Sequence, residues 1–368
     1  MGEPVNARVG IIGTGVISGT YLDHLAVLPG VEVVAVADLD LDRAVEVAAK
    51  RENVRALTSD DLLKDPDVDV VLNLTIPAAH ASVALAAIEA GKHVYGEKPL
   101  AVRRTEAEPV LAAAKARGVR VGCAPDTVLG TGVQTARAAL DRGDIGVPTA
   151  ATASFVTAGH ERWHPAPEFY YQAGGGPLLD MGPYYLTALV TLLGPVARVT
   201  ARASRAHAER TIHSGPRAGT TFGVDIPTHL TGIVEHTSGA LSTVLMSFDV
   251  WASRMPRIEV FGTAGTLSVP DPNNFDGQVE LWSPKTGDWQ ALDVAGGYAG
   301  AGRGVGVADM ARAIRTGTEH RASGSLAFHV LDVMESLLEA AERDQTVEVG
   351  STVARPAAVP LDATPDTA

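Results

Sequence analysis

Cysteine is almost missing from this chain: its 368 residues hold one, Cys123. A single thiol excludes an internal disulfide and any multi-cysteine zinc cluster. Positive charge is also scarce, with 30 Lys+Arg against 43 Asp+Glu and a formal net charge of −13. That balance argues against a broad nucleic-acid surface and against a polybasic membrane contact. Long apolar runs are absent too. None approaches the roughly 20 residues of a membrane span. The first run, Val9 to Ile12, is too short for a secretory leader and leads straight into glycines. The expectation is a cytoplasmic protein, in which the Asn73-Leu74-Thr75 sequon carries no weight. What remains is 46% hydrophobic and 20% charged residues, the balance of a soluble globular protein. At roughly 150 residues per domain the length suggests two domains.

Up to about Cys123, short apolar runs alternate with helix-period stretches. The runs Arg8–Ile12, Val31–Ala37, Asp69–Leu74, His93–Gly96 and Arg120–Cys123 have little polar alternation, as strands buried on both faces do. Leu41–Lys50, His80–Ala90 and Arg103–Arg117 read as helices between them. Alternation of this kind predicts right-handed crossovers and a doubly wound parallel sheet. Its first turn reads Gly13-Thr14-Gly15-Val16-Ile17-Ser18, a G-x-G-x-x-S variant after a strand and before a helix. Gly13 permits the tight turn, and Gly15 lets a pyrophosphate approach the free N–H groups of the helix start. Candidate cofactor contacts are therefore Gly13, Thr14, Gly15, Val16 and Ile17. Asp38 ends the second strand, where a carboxylate accepts from both ribose hydroxyls and repels a 2′-phosphate. NAD is expected over NADP, although Arg43 lies nearby.

Four ordered motifs then carry a resemblance. They are Thr75-Ile76-Pro77-Ala78-Ala79-His80 with Ala90-Gly91-Lys92-His93-Val94, then Glu97-Lys98-Pro99. Gly174-Gly175-Gly176-Pro177-Leu178-Leu179-Asp180-Met181-Gly182 and Phe261-Gly262-Thr263-Ala264-Gly265-Thr266 follow. Over about Val9 to Val349 the chain resembles the glucose–fructose oxidoreductase/inositol dehydrogenase (Gfo/Idh/MocA) family. The resemblance implies an α/β protein: an N-terminal Rossmann domain, residues 1–125, and a C-terminal α/β domain, residues 126–350. The second domain would hold an open, mostly antiparallel sheet whose outer face commonly forms the subunit contact of a homodimer or homotetramer. Independently, strand patterns at Thr149–Thr157, Val196–Arg205, His229–His236, Ala240–Val250 and Arg257–Phe261 replace the earlier alternation. Helical patterns read at Gln134–Asp141, Val305–Arg315 and Ser325–Arg343, and residues 351–368 read as an extended tail rich in Ala, Pro and Thr. The resemblance places Thr75, Pro77, His80, Glu97 and Lys98 at the cofactor.

Oxidising a secondary alcohol requires a hydride acceptor and a group to take the hydroxyl proton. Lys98 ends a parallel strand, at the sheet edge where ligands bind, and an ammonium there stabilises charge developing on the reacting oxygen. Only 6 of the 30 basic residues are lysine, so one inside a matched motif stands out. Asp180 and Tyr184 are i and i+4 on a predicted helix and share a face. In inositol-dehydrogenase-like relatives the Tyr184 position holds a histidine base. Tyrosine there resembles the glucose–fructose oxidoreductase and dihydrodiol dehydrogenase branches, and it serves as acid/base only if a cation such as Lys98 lowers its pKa. The catalytic set is thus Lys98, Tyr184 and Asp180, with Asp180 orienting the substrate hydroxyl or Lys98; Tyr185 is an alternative to Tyr184. Asp126 reads as a substrate ligand or as part of a hinge turn with Pro125. His160-Glu161-Arg162-Trp163-His164 matches the zinc-protease spacing H-E-x-x-H. Gly159, Pro165 and Pro167 break the helix that such a site needs, so no metal is expected. The segment reads as a substrate loop, with Trp163 stacking on a sugar ring and His160 and His164 binding hydroxyls. The expected function is NAD-dependent oxidation or reduction at a secondary hydroxyl or ketone of a sugar, cyclitol or glycoside-like polyol. Two other readings are transient oxidation by a bound NAD that enables elimination, and a non-catalytic nucleotide sensor.

Overall fold

The computed structural model describes residues 6–365 and 367. The first five residues of the expected first domain and positions 366 and 368 of the expected tail lie outside the described residues. The chain divides into two compact units, one of residues 1–134, 296–331 and 356–368, the other of residues 135–295 and 332–355. The expected boundary at 125/126 therefore moves nine residues along, and the chain crosses between units more than once.

The first unit holds a six-stranded parallel sheet in the order β3-β2-β1-β4-β5-β6. Its strands are β1 (Ala7–Ile12), β2 (Val31–Ala37), β3 (Arg55–Leu57), β4 (Val70–Asn73), β5 (His93–Gly96) and β6 (Val121–Cys123). Helices α1 (Val16–Leu25), α2 (Leu41–Ala48), α3 (Ser59–Lys64), α4 (His80–Glu89) and α5 (Arg104–Arg117) make the crossovers. This is the dinucleotide-binding strand order. All five expected strands match to within one residue at each end. β3 was not expected, since a three-residue run at a sheet edge leaves no periodic signal. β1 and β4 supply the apolar centre, where Val9, Ile11, Val70, Val71 and Leu72 are fully buried. Thr58 and Asp40 cap α3 and α2 through their side chains.

Helix α8 (Val305–Thr316) returns to this unit with Gly304 as its N-cap. The tail is extended, as expected, but tied down. Val359 is buried, its N–H donates to Gln134 Oε1 at 2.8 Å, and Arg321 bonds the carbonyls of Ala357 and Ala358.

The second unit is built on a nine-stranded sheet in the order β16-β15-β14-β13-β7-β12-β11-β8-β17. Its strands are β7 (Pro148–Val156), β8 (Val196–Ser204), β11 (His229–His236), β12 (Leu241–Ser247), β13 (Ile258–Gly262), β14 (Thr266–Val269), β15 (Glu280–Trp282), β16 (Trp289–Ala291) and β17 (Val347–Glu348). Only β7 and β12 pair in parallel, so the sheet is mostly antiparallel. A separate ribbon joins β9 (Glu209–Thr211) to β10 (Thr221–Gly223). Alternation along β11 buries Leu230 and Val234 and exposes Thr231 and Ile233, which marks one packed and one open face. The packed face carries α7 (Pro177–Leu193), buried over most of its length. Helices α6 (Thr131–Arg142) and α9 (Gly324–Arg343) each span a sequence boundary between the units. Among the described residues no helix is long and apolar enough to cross a membrane.

Candidate active site

In the first unit, the strand order brings the carboxyl ends of β2, β1, β4 and β5 side by side. Gly13 follows β1 at φ +103°, and a Cβ there would sit 2.7 Å from the main-chain carbonyl of Leu74. Both facts require glycine. Gly15 has open space where its Cβ would be, and Val16 beyond it is fully exposed. Gly15 caps α1 with no side-chain bond, so the first N–H groups of the helix face outward, as an anion needs. Ser18 is buried against the sheet and donates to the Gly15 carbonyl at 2.7 Å.

Asp38 Oδ2 accepts from Thr14 N–H at 2.7 Å and from Thr14 Oγ1 at 2.8 Å, and Oδ1 accepts from Asp40 N–H at 3.1 Å. Partial burial works against its charge, but the Thr14 and Asp40 bonds and Arg43 hold the carboxyl below the usual carboxylate range. The acceptor thus stays ionised beside the glycine turn. An exposed phosphate cradle with a fixed carboxylate at its edge fits a dinucleotide with unmodified ribose hydroxyls.

On the other side of the turn, Asn73 Oδ1 accepts from Thr75 N–H at 3.2 Å and from Thr75 Oγ1 at 2.6 Å, and a 3-10 turn from Pro77 leads into α4. His80 is only 2% exposed. Its Nδ1 lies 2.6 Å from the Pro99 carbonyl and its Nε2 3.0 Å from the Thr75 carbonyl. The expected cofactor contact at His80 is therefore corrected. Both ring nitrogens face main-chain carbonyls, so the ring ties the Thr75 turn to the Lys98–Pro99 turn instead. Glu97 is similarly engaged, with Tyr21 OH donating to Oε1 at 2.7 Å and Lys98 N–H to Oε2 at 2.9 Å. It anchors the Lys98 turn on α1. Sequence reading missed Tyr21, whose position looks like any apolar site of that helix.

Asp126 is fully buried, and its Oδ2 accepts from Gly304 N–H at 2.9 Å and Gly306 N–H at 3.1 Å. Burial pushes its carboxyl up, against the pull of Arg303 and those two N–H groups. It is a cap for the start of α8, which corrects its reading as a substrate ligand. Cys123 is buried, and burial raises its thiol far from the reactive range.

In the second unit the Gly174–Gly176 turn opens α7. A Cβ on Gly175 would lie 2.5 Å from the Phe169 carbonyl, and Gly176 has φ +99°. The Gly176 carbonyl accepts from Asp180 N–H at 3.0 Å, which starts the helix and sets Asp180 in its first turn, with Tyr184 one turn on. Asp180 Oδ2 lies 2.9 Å from His160 Nε2. His160 was expected to bind a substrate hydroxyl; the structure pairs it with Asp180. Tyr185 points elsewhere. It is fully buried, donates to Asp271 Oδ1 at 3.2 Å, and is pushed well up by burial and that carboxylate. This removes Tyr185 as the alternative to Tyr184.

The H-E-x-x-H spacing falls on a 3-10 turn, His160–Arg162, with His164 beyond it. His164 Nδ1 accepts from Ala166 N–H at 3.1 Å, and Trp163 is 57% exposed beside it, ring centroids 5.4 Å apart. Beneath, Tyr171 OH donates to Glu161 in a short bond, Glu161 pairs with Arg210 at 2.7 Å, and Arg210 pairs closely with Asp249. This buried network was not legible in the sequence, because its members come from separate elements.

A glycine cradle with its carboxylate on a 3-2-1-4-5-6 sheet, followed by an open antiparallel α/β unit, defines an NAD-binding oxidoreductase. Two family descriptions match: an oxidoreductase family NAD-binding Rossmann fold over residues 7–124, and a GFO/IDH/MocA C-terminal domain over residues 133–268. The chain belongs to the Gfo/Idh/MocA family. It is similar to trans-1,2-dihydrobenzene-1,2-diol dehydrogenase of Bos taurus, 32% identical over 75% of this chain and 76% of that one. Inositol 2-dehydrogenase 3 of Saccharopolyspora erythraea is 31% identical over 73% and 74%. Among solved structures, an NAD binding oxidoreductase from Klebsiella pneumoniae superposes with a TM-score of 0.82 at 26% identity, covering 94% of this chain and 99% of that one.

Proposed function

We propose that the protein interconverts a secondary alcohol and a ketone on a cyclic polyol: a sugar, a cyclitol or a ring-borne vicinal diol. The relatives named for inositol and for a dihydrobenzene diol support that substrate class. Bound NAD supplies the hydride acceptor. Gly13, Thr14, Gly15, Val16 and Ile17 hold its phosphates and Asp38 its adenosine ribose. Lys98, on a turn anchored through Glu97 and His80, polarises the reacting oxygen and stabilises its developing negative charge. Tyr184 takes the hydroxyl proton during oxidation and returns it during reduction. Asp180 orients the substrate hydroxyl, and Trp163 and His164 contact the ring. The observation that carries the reading is the pairing of an oriented acid with a phenol one helical turn on, Asp180 and Tyr184, in a chain whose Rossmann unit presents an anchored lysine.

The test is a screen of cyclitols, sugars, anhydrosugars and cyclic vicinal diols with NAD, following absorbance of the reduced cofactor. Turnover of at least one class is expected. Product formed without net reduced cofactor would replace this reading with transient oxidation. Tight NAD binding with no turnover of any class would replace it with a sensor. We further propose that the protein works in the cytoplasm as a homodimer or homotetramer, which light scattering tests.

A further inference from the structure

We infer that His160 is a positioning residue for Asp180, an inference that rests on the site reading above. The ring of His160 is held on several sides. Its centroid lies 4.4 Å from that of Tyr170, 4.5 Å from that of Phe248 and 5.2 Å from that of Trp163, in tilted and edge-on contacts. Its main chain is held as well, since His160 N–H donates to Tyr171 OH at 3.0 Å. Tyr171 is in turn fixed by Glu161, and Glu161 by Arg210. A ring so confined has one polar task, the 2.9 Å bond from Nε2 to Asp180 Oδ2.

The nitrogen that carries the proton follows from the surroundings. Nδ1 is buried and without a hydrogen-bond partner. The Nε2–H tautomer donates to the carboxylate and leaves only a lone pair at Nδ1. The other tautomer would set a lone pair against the carboxylate and strand a buried N–H, which is the more costly arrangement. With Oδ2 held by an N–H whose direction the aromatic box fixes, the direction of Oδ1 is fixed too. A hydrogen bond from a fixed donor narrows the rotamers open to a carboxylate on the first turn of a helix. The His160 bond does so before substrate arrives, and the ordering is worth rate because a misplaced orienting group costs turnover steeply. The H-E-x-x-H histidine, unsuited to a protease zinc site, thereby acquires a role.

The experiment uses the full chain with NAD and two variants that separate packing from hydrogen bonding. His160→Phe keeps a ring in the box and deletes the N–H. His160→Gln places an amide N–H at about the reach of Nε2. With the polyol found active in the screen, His160→Phe is expected to lower kcat about 10- to 100-fold. KM for NAD and the melting temperature are expected to change little, and His160→Gln to recover most of the loss. In an Asp180→Ala background, His160→Phe is expected to add no further loss, because the histidine acts through the carboxylate. A substrate-free readout is the ring-nitrogen NMR spectrum of 15N-histidine-labelled protein. It is expected to show His160 fixed as Nε2–H, and to lose that fixation in Asp180→Ala.

Wild-type kcat in His160→Phe, a Gln variant as impaired as Phe, multiplicative losses, or a tautomer indifferent to Asp180→Ala would each overturn the inference. If Asp180→Ala abolishes turnover while His160→Phe keeps it, only the role of His160 is lost. If Asp180→Ala turns over at the wild-type rate, the site reading is lost and this inference with it.

Discussion

Lys98 and Tyr184 differ in what their removal should do. Under the proposed mechanism Lys98→Met deletes the charge that stabilises the reacting oxygen, and kcat is expected to fall about 100- to 1,000-fold. Under the same proposal Tyr184→Phe deletes the proton exchanger and is expected to lower kcat by about 100-fold or more. In both variants NAD affinity, read by quenching of tryptophan fluorescence, should hold. A Tyr184→Phe enzyme at wild-type rate would remove the tyrosine from the mechanism while leaving Lys98 in place. Asp38 is proposed to act on the cofactor alone. Asp38→Ala is expected to raise KM for NAD and to narrow the preference over NADP, as the ratio of kcat/KM values will show. The sequence singles out these three residues because each sits at a fixed offset from a motif. The roles of His160 and Tyr21 and the capping role of Asp126 were not legible in it, because their partners lie far along the chain: 20 residues for His160–Asp180, 76 for Tyr21–Glu97 and 178 for Asp126–Gly304.

At the scale of elements, the glycine turn and the start of α8 are the sensitive points. Gly13→Ala forces a side chain into a positive-φ position against the Leu74 carbonyl. It is expected to destabilise by about 1–3 kcal/mol and to weaken NAD binding, since the glycine turn and the main chain after β4 must move apart. Asp126→Ala removes the acceptor of two N–H groups at the head of α8, and a loss of about 1–3 kcal/mol is expected from denaturant melts. Asp126→Asn keeps an acceptor and removes a buried charge, so it should melt near the wild type. Its KM for the polyol should not change, which separates the capping role from substrate binding. Helices and strands with a clear period were legible to within a few residues. The short strands β3, β9, β10, β15, β16 and β17 were not, since two or three residues hold too little pattern and pairing alone defines them.

For the whole molecule, acid sensitivity follows from one half-buried and two buried histidines. His93, His236 and His320 are pushed below the ordinary histidine value, by burial first in each case. The native state keeps them neutral where the unfolded chain takes up protons. Their contribution is therefore complete above about pH 6.5 and is lost as pH falls through the lowered native values. Thermal melts from about pH 8 to about pH 5 should show the melting temperature falling on the acid side, and a flat profile would contradict the assignment.

The sequence by itself determined the doubly wound unit, the glycine turn after its first strand and the family of the second unit. Those depend on local period, on glycines that tolerate no side chain, and on motifs contiguous in the chain. Tertiary structure decided which polar side chains remain available to a ligand. Asp126, His80 and Tyr185 looked like site residues by position, and folding turned their polar atoms to the head of α8, to the Pro99 and Thr75 carbonyls and to Asp271. Such partners depend on which segments pack together, and no motif spacing along the chain announces them.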